Sequence, residues 1–137
     1  MRWMLDTNTL VYVLNARPQH QRVLDRFNEH DPHKLCLSSI TLAELRFGVA
    51  QSQRRDATQK KLDRVIGALT VMPFEDDAAM AYGVLRAALQ AEGQPIGPLD
   101  TLIAGHALSE GSTLVTNNLR EFSRVKGLRL ENWIDAT

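Results

Sequence analysis

Three carboxylates stand where the chain turns into helical patterns: Asp6 in "MLDTNTL", Glu44 in "TLAE" and Asp100 in "GPLD". Each has an ordinary structural reason to be there. Asp6 leaves an apolar, strand-like run and precedes a helical rhythm, so its carboxylate suits an N-cap. Glu44 follows Thr41 at the S/T-x-x-E spacing of a capping box, in which the Glu reaches back to the cap N–H. Asp100 falls in the first turn of a helix opened by Pro98, where negative charge meets the positive end of the macrodipole. These reasons explain each acid alone but not their company. Converging carboxylates raise one another's pKa unless a cation neutralises them, so convergence of Asp6, Glu44 and Asp100 demands a metal. Oxygen donors without paired His or clustered Cys select a hard divalent ion, Mg²⁺ with Mn²⁺ as a substitute, over zinc.

The other reactive residue types point elsewhere. His20, His30, His33 and His106 form no H-x-H or H-x-x-x-H pair. Pro32 breaks any helix that would put His30 and His33 on one face, so both read as surface residues. His106 lies off the face of Asp100 and reads as a helix-packing or solvent-tip residue. Cys36, the single cysteine, sits in the apolar "KLCLSSI" and reads as a small buried side chain, which excludes an internal disulfide and a cysteine-rich zinc site. No Ser–His or Cys–His nucleophile stands out, and "GQPIGP" lacks the Lys and Ser/Thr of a phosphate-binding loop.

Positioning these acids falls to an alternating pattern of elements. Short apolar runs at "RWML", "KLCLSS", "TVMPF", "STLVT" and "LRLEN" read as strands. Between them, helical rhythm runs through "NTLVYVLNA", the stretch after Pro18 that stops before Pro32, "ITLAELRFGVAQSQ", "ATQKKLDRVIGAL", "DDAAMAYGVLRAALQAEG" and "PLDTLIAGHALSEG". Gly93 and Gly111 take the C-terminal positions of the last two. Strands alternating with helices predict an α/β/α sandwich around a mostly parallel sheet of about five short strands. Ligands in such sheets bind beyond the carboxyl ends of the strands, where Asp6, Ser38, Ser39, Thr116 and Asn118 fall. A chain of 137 residues fits one domain, 1–137, with one core. Its 44% hydrophobic content includes no run near the roughly 20 residues of a membrane span, and the N-terminus lacks a signal-like apolar region, which places the protein in the cytoplasm. Sixteen basic residues balance sixteen acidic ones, so any nucleic-acid binding rests on local clustering.

Taken in order, "MLDTNTL", "SSITLAELRFGV", "GQPIGPLDTLIAGHAL" and "LVTNNLREFSRVKGLRLENW" resemble a PIN domain, and more closely the VapC-type ribonuclease toxins of type II toxin–antitoxin pairs. The resemblance covers nearly the whole chain. It implies a metal-dependent endoribonuclease, with transfer RNA as the leading substrate and inhibition of translation as the outcome. Asp6, Glu44 and Asp100 match the family's metal-binding acids, and Asn118, or its neighbour Asn117, matches a fourth position that is often Asp. Thr116, Thr7 and Asn8 match supporting polar positions, and Glu121 is a further supporting candidate whose ordinary alternative is a solvated helix acid. A homodimer and a small VapB-like antitoxin that blocks the acidic groove are also implied. Candidate RNA-binding residues are Arg46, Arg54, Arg55, Lys60, Lys61 and Arg64 on one side and Arg86, Arg120, Arg124 and Lys126 on the other, each also at home on a solvated helix face.

Two other functions fit parts of the sequence. "WMLDTNT" loosely resembles the opening of haloacid-dehalogenase-like phosphatases, with Asp6 as nucleophile and Ser39, Lys60 or Lys61 and Asp76–Asp77 in workable order. Asn8 replaces the acid that would protonate the leaving group, and "GPLD" and "LVTNN" are left without a role. A PIN domain that binds RNA or protein without cutting would be favoured by the loss of one of the three acids; all three are present.

Overall fold

Consecutive strand residues feed two different apolar layers. Met4, Cys36 and Leu114 pack into one cluster, while Leu5, Leu35, Leu37 and Val115 pack into the other. Side chains alternate across a strand, so these short apolar runs belong to a sheet covered on both faces. The computed structural model describes residues 1–135. Its elements run β1 (Trp3–Leu5), α1 (Thr7–Leu14), α2 (His20–Asn28), a short 3-10 turn (Pro32–Lys34), β2 (Leu35–Ser38), α3 (Ser39–Gln51), α4 (Arg55–Gly67), β3 (Thr70–Met72), α5 (Asp76–Ala91), α6 (Pro98–Glu110), β4 (Thr113–Val115), α7 (Leu119–Phe122) and β5 (Leu130–Glu131).

All pairings are parallel, in the order β3-β2-β1-β4-β5. Residues of α1 to α4 build the layer around Leu10, Val23, Leu45 and Leu62, and those of α5 to α7 build the layer around Leu85, Leu89, Ile103 and Phe122. The expected α/β/α sandwich is therefore present, with its apolar interior split by the sheet into two layers rather than gathered into one core. The chain moves from β1 to β2 and β3 on one side and returns to β4 on the other. That reversal opens a crevice at the carboxyl ends of β1 and β4.

Helix ends follow the local chemistry. Gly93 (φ 67°) and Gly111 (φ 63°) adopt the left-handed conformation that glycine takes without a Cβ penalty. After α5, Gln94 N–H reaches Leu89 O at 2.9 Å and Gly93 N–H reaches Gln90 O at 3.0 Å, the paired bonds of a Schellman close. The turn that follows sends the chain into α6. Helices α5 and α6 come into backbone contact at Gly105, where a Cβ would lie 2.9 Å from the backbone N and Cα of Tyr82.

His30 departs from the surface position expected of it. Its ring packs edge-on to Trp3 at 4.2 Å and stacks on Trp133 at 5.1 Å, while Nδ1 lies 2.7 Å from Arg26 O. Pro32 ends the local helix as expected, but tertiary packing folds the ring inward. Beside it, Glu131 accepts hydrogen bonds from Trp3 Nε1 (2.9 Å), Trp133 Nε1 (3.0 Å) and Arg26 Nη2 (2.9 Å), joining β5, β1 and α2. Burial pushes the Glu131 carboxyl up, but the two indole donors, Arg26 and His30 together hold it below its ordinary value of 4.5.

Two predictions follow from this packing. Gly105→Ala forces α5 and α6 apart and lowers stability by about 1–3 kcal/mol in chemical denaturation. Glu131 has a depressed folded pKa, so its contribution is present above pH 4.5 and is lost as pH falls through the folded value. Glu131→Gln therefore lowers stability at pH 7 by about 1 kcal/mol once solvent exposure is discounted, and the difference from the parent vanishes in acid unfolding curves at lower pH.

Candidate active site

Asp6 leaves β1 and caps α1, accepting the Thr9 N–H on Oδ1 at 2.9 Å. Its own N–H donates to Val115 O at 3.0 Å, so the residue is tied to the end of β4 as well. Only 4% of it is exposed. Burial raises its carboxyl above the ordinary 3.8, the Thr116 hydroxyl and the Thr9 donors oppose the rise, and Glu44 adds to it. Cap and candidate ligand are thus the same residue.

Glu44 is not part of a capping box. Helix α3 starts earlier than "TLAE" suggests, because Ser38 at the end of β2 caps it by accepting Ile40 N–H at 3.0 Å. Thr41 lies buried inside the helix, and Glu44 accepts a 2.6 Å hydrogen bond from the Thr7 hydroxyl of α1. A tertiary partner has displaced the local one that the spacing suggested.

Asp100 lies in the first turn of α6, behind Pro98, as expected. Its carboxyl is pushed up to about 7, chiefly by burial and then by Glu121, with which it shares a hydrogen bond, and by the charges of Asp6 and Glu44. The acids therefore converge, and Glu121 joins them as a fourth. The sequence reading set Glu121 among the supporting residues with a solvated helix acid as its alternative, and did not anticipate the one-turn helix α7 that aims it inward. Asn118 precedes that helix without a side-chain cap bond; its Nδ2 donates to Glu121 Oε2 at 2.7 Å, while its backbone N–H donates to Thr116 Oγ1 at 2.9 Å. The three-residue spacing of Asn118 and Glu121 is the sequence signal for this contact. Asn117 accepts from Asn8 Nδ2 at 2.6 Å, bridging α1 to the loop after β4.

Together Asp6, Thr7, Asn8, Val11, Glu44, Asp100, Asn117 and Asn118 line a cleft of about 500 Å³ at the crevice between β1 and β4. Val11, a turn beyond Thr7, gives it an apolar wall that no motif signalled. The candidate basic residues are distributed unevenly around it. Arg54 and Arg55 line the open turn between α3 and α4, and Arg46, Lys60, Lys61, Arg64 and Arg120 are exposed. Arg86 donates to Tyr82 Oη at 2.9 Å, Arg124 to Pro95 O at 2.9 Å, and Lys126 pairs with Glu92 at 3.3 Å; none of the three lines the acid cleft. The phosphatase constellation is not assembled. Asp76 and Asp77 line a separate cleft with Glu75 and Glu110, and the Ser39 hydroxyl accepts Phe74 N–H.

A PIN domain family model matches residues 3–128, and the chain belongs to the PIN domain family. Within it, the similarity is to VapC proteins. The chain is 42% identical over 133 residues to the tRNA(fMet)-specific endonuclease VapC of Salmonella typhimurium, covering 97% of this chain and 98% of that one. It is 42% identical over 134 residues to ribonuclease VapC2 of Haemophilus influenzae, covering 98% and 99%. Among solved structures, DNA-bound VapBC from Salmonella typhimurium matches with a TM-score of 0.90 at 42% identity, covering 97% of this chain and 98% of that one. VapBC2 from Rickettsia felis, bound to a DNA fragment from its promoter, matches at 0.88 with 41% identity, covering 97% and 99%.

The donor set fits a hard divalent cation. Its carboxylates and amides offer oxygen, and the pressure that pushes Asp100 to about 7 is a demand for positive charge. Among the described residues no three His, Cys, Asp or Glu side chains already stand in a shared ligating group. Like charges hold apart, with Glu44 leaning on Thr7 and Glu121 on Asn118. The raised Asp100 pKa fixes the sign of one prediction. The folded protein binds this proton more tightly than the unfolded chain, so the penalty is absent below the ordinary 3.8 and fully present above about 7. Metal-free Asp100→Asn should melt higher than the parent at pH 8, with the gain shrinking toward pH 4 in scanning calorimetry; Mg²⁺ or Mn²⁺ should raise the melting temperature of the parent far more than that of the variant.

Proposed function

We propose that this protein is a divalent-metal-dependent endoribonuclease that hydrolyses phosphodiester bonds in transfer RNA and acts in the cytoplasm as the toxin of a toxin–antitoxin pair. The observation that carries this reading is that Asp6, Glu44 and Asp100 line one cleft, with Glu121 against Asp100 and the Asp100 carboxyl pushed up to about 7 by burial and by these neighbouring acids. Similarity to a VapC named for tRNA(fMet) supports the substrate class. Solved VapBC complexes of similar chains support a small VapB-like antitoxin as the partner, and a toxin homodimer is part of the same proposal.

Asp6, Glu44 and Asp100 would hold the ion, with Asn118 offering an uncharged oxygen and Glu121 an adjoining charge. Bound Mg²⁺ or Mn²⁺ supplies Lewis acidity, activating water and offsetting phosphate charge. Thr116 and Thr9 oppose the rise that burial imposes on the Asp6 carboxyl. Thr7 orients Glu44, and the Asn8–Asn117 bridge fixes the rim where the RNA backbone enters. Arg54 and Arg55, with Arg46, Lys60 and Lys61, supply exposed cations for phosphates, which makes binding salt-sensitive.

The decisive experiment incubates the purified protein with total transfer RNA and sequences the ends produced. Cleavage is expected with Mg²⁺ or Mn²⁺ and none in EDTA. Asp6→Asn and Asp100→Asn should each lose at least the roughly 100-fold that removing a ligand-supporting group costs, with circular dichroism unchanged. Undiminished cleavage in EDTA would sink the metal mechanism, and an RNA-binding protein with no cleavage under any condition would be a PIN domain that does not cut.

A further inference from the structure

His106 is fully buried in α6, and neither the acid cleft nor the apolar layers account for it. Its Nδ1 lies 2.8 Å from Ser38 Oγ, across a sequence separation of 68 residues, and its Nε2 is buried with no hydrogen-bond partner. Ser38 Oγ also accepts Ile40 N–H at 3.0 Å as the cap of α3. If the Ser38 hydroxyl donates to Nδ1, the ring proton sits on Nε2 with no acceptor; if Nδ1–H donates, Nε2 keeps an unpaired lone pair. Either tautomer leaves a buried polar atom unsatisfied, which costs stability. An apolar side chain would serve the packing better, so packing is not the reason for a histidine.

The bond's location supplies one. Ser38 ends β2 and opens α3, which carries Glu44, while His106 lies on α6, which carries Asp100. At the adjacent residue, Gly105 seats α6 directly on the α5 backbone at Tyr82. The helix is thus located from two sides within two consecutive residues, against α5 through Gly105 and against α3 through His106. Phe74 meets the His106 ring edge-on at 5.4 Å and donates its N–H to Ser39 Oγ at 3.0 Å, so the two serines tie the start of α3 to α6 and to the segment after β3.

We propose that His106 is a positioning residue: its bond to Ser38 sets the spacing between the helices that carry Asp100 and Glu44, and hence the geometry in which these acids take up a divalent ion. The proposal rests on the metal-nuclease reading. Because the bond acts through spacing, its loss weakens metal uptake and turnover without weakening the fold. Asparagine can place a polar atom near the position of Nδ1, whereas leucine fills the space with no donor or acceptor.

The test compares the parent, His106→Leu, His106→Asn and Ser38→Ala, at a temperature where circular dichroism shows each fully folded. Melting temperature without metal, Mn²⁺ affinity by calorimetric titration, and steady-state cleavage of a transfer-RNA substrate are measured. His106→Leu should melt at or above the parent, bind Mn²⁺ roughly ten-fold more weakly and lose roughly ten-fold or more in kcat, with KM for RNA little changed. His106→Asn should recover much of both losses. Ser38→Ala removes the partner from outside α6 and should reproduce the Mn²⁺ defect, which keeps the test decisive if the leucine variant does not fold. The proposal is overturned if Mn²⁺ affinity and kcat of His106→Leu stay within about two-fold of the parent, or if asparagine does no better than leucine. A parent that binds Mn²⁺ but cuts no RNA overturns the nuclease reading, and the Mn²⁺ titration still decides the role of His106. A parent that binds no Mn²⁺ overturns both.

Discussion

Mutual repulsion among carboxylates gathered at one end of a parallel sheet is the constraint on which the rest of this structure depends. Asp6, Glu44, Asp100 and Glu121 stand on four separate helices or their caps, and burial together with the three neighbouring acids lifts Asp100 to about 7. Such an arrangement does not form for its own stability. The apolar layers on the two faces of the sheet must hold it, because β1 and β4 with α1, α3, α6 and α7 set where each acid stands.

The polar groups around the cleft divide the remaining work. Thr9 and Thr116 keep Asp6 from rising further, Thr7 engages Glu44, and Asn118 engages Glu121. Each is a neutral donor placed against a carboxylate. They moderate the repulsion without cancelling it, and so leave the site its appetite for a cation. Asp6 and Asp100 also lie at the positive ends of helices at least eight residues long, which favours their charged forms. The helix-start positions that offered an innocent explanation for Asp6 and Asp100 are part of how a site with so much negative charge can fold.

Legibility from sequence followed the range of the interaction. Asp6 as a cap, Asp100 behind Pro98 and the glycine ends of α5 and α6 depend on neighbours within a turn, and each stands in the structure as read. The surface reading of His30 and the capping-box alternative for Glu44 failed for one reason. A local pattern, the capping-box spacing in one case and the proline break in the other, was overridden by a partner far along the chain, Thr7 for Glu44 and the two tryptophans for His30. Glu121 was undervalued because a four-residue helix leaves too short a periodicity to read. Among the cations, Arg86 and Arg124 carry the right charge but are engaged by Tyr82 and Pro95, a fact only three-dimensional neighbours reveal.

By itself the sequence determined the alternation of strands and helices, the strand-end placement of Asp6 and, by the order of its motifs, the family, because backbone propensity and side-chain periodicity are local properties. Only the tertiary structure decided that Asp6, Glu44 and Asp100 share one cleft, that Glu121 stands against Asp100, and that His106 spans from α6 to the start of α3. Those outcomes depend on distances between segments far apart in the chain, 68 residues for the Ser38–His106 bond alone, set by the register of the sheet and the packing of helices across it.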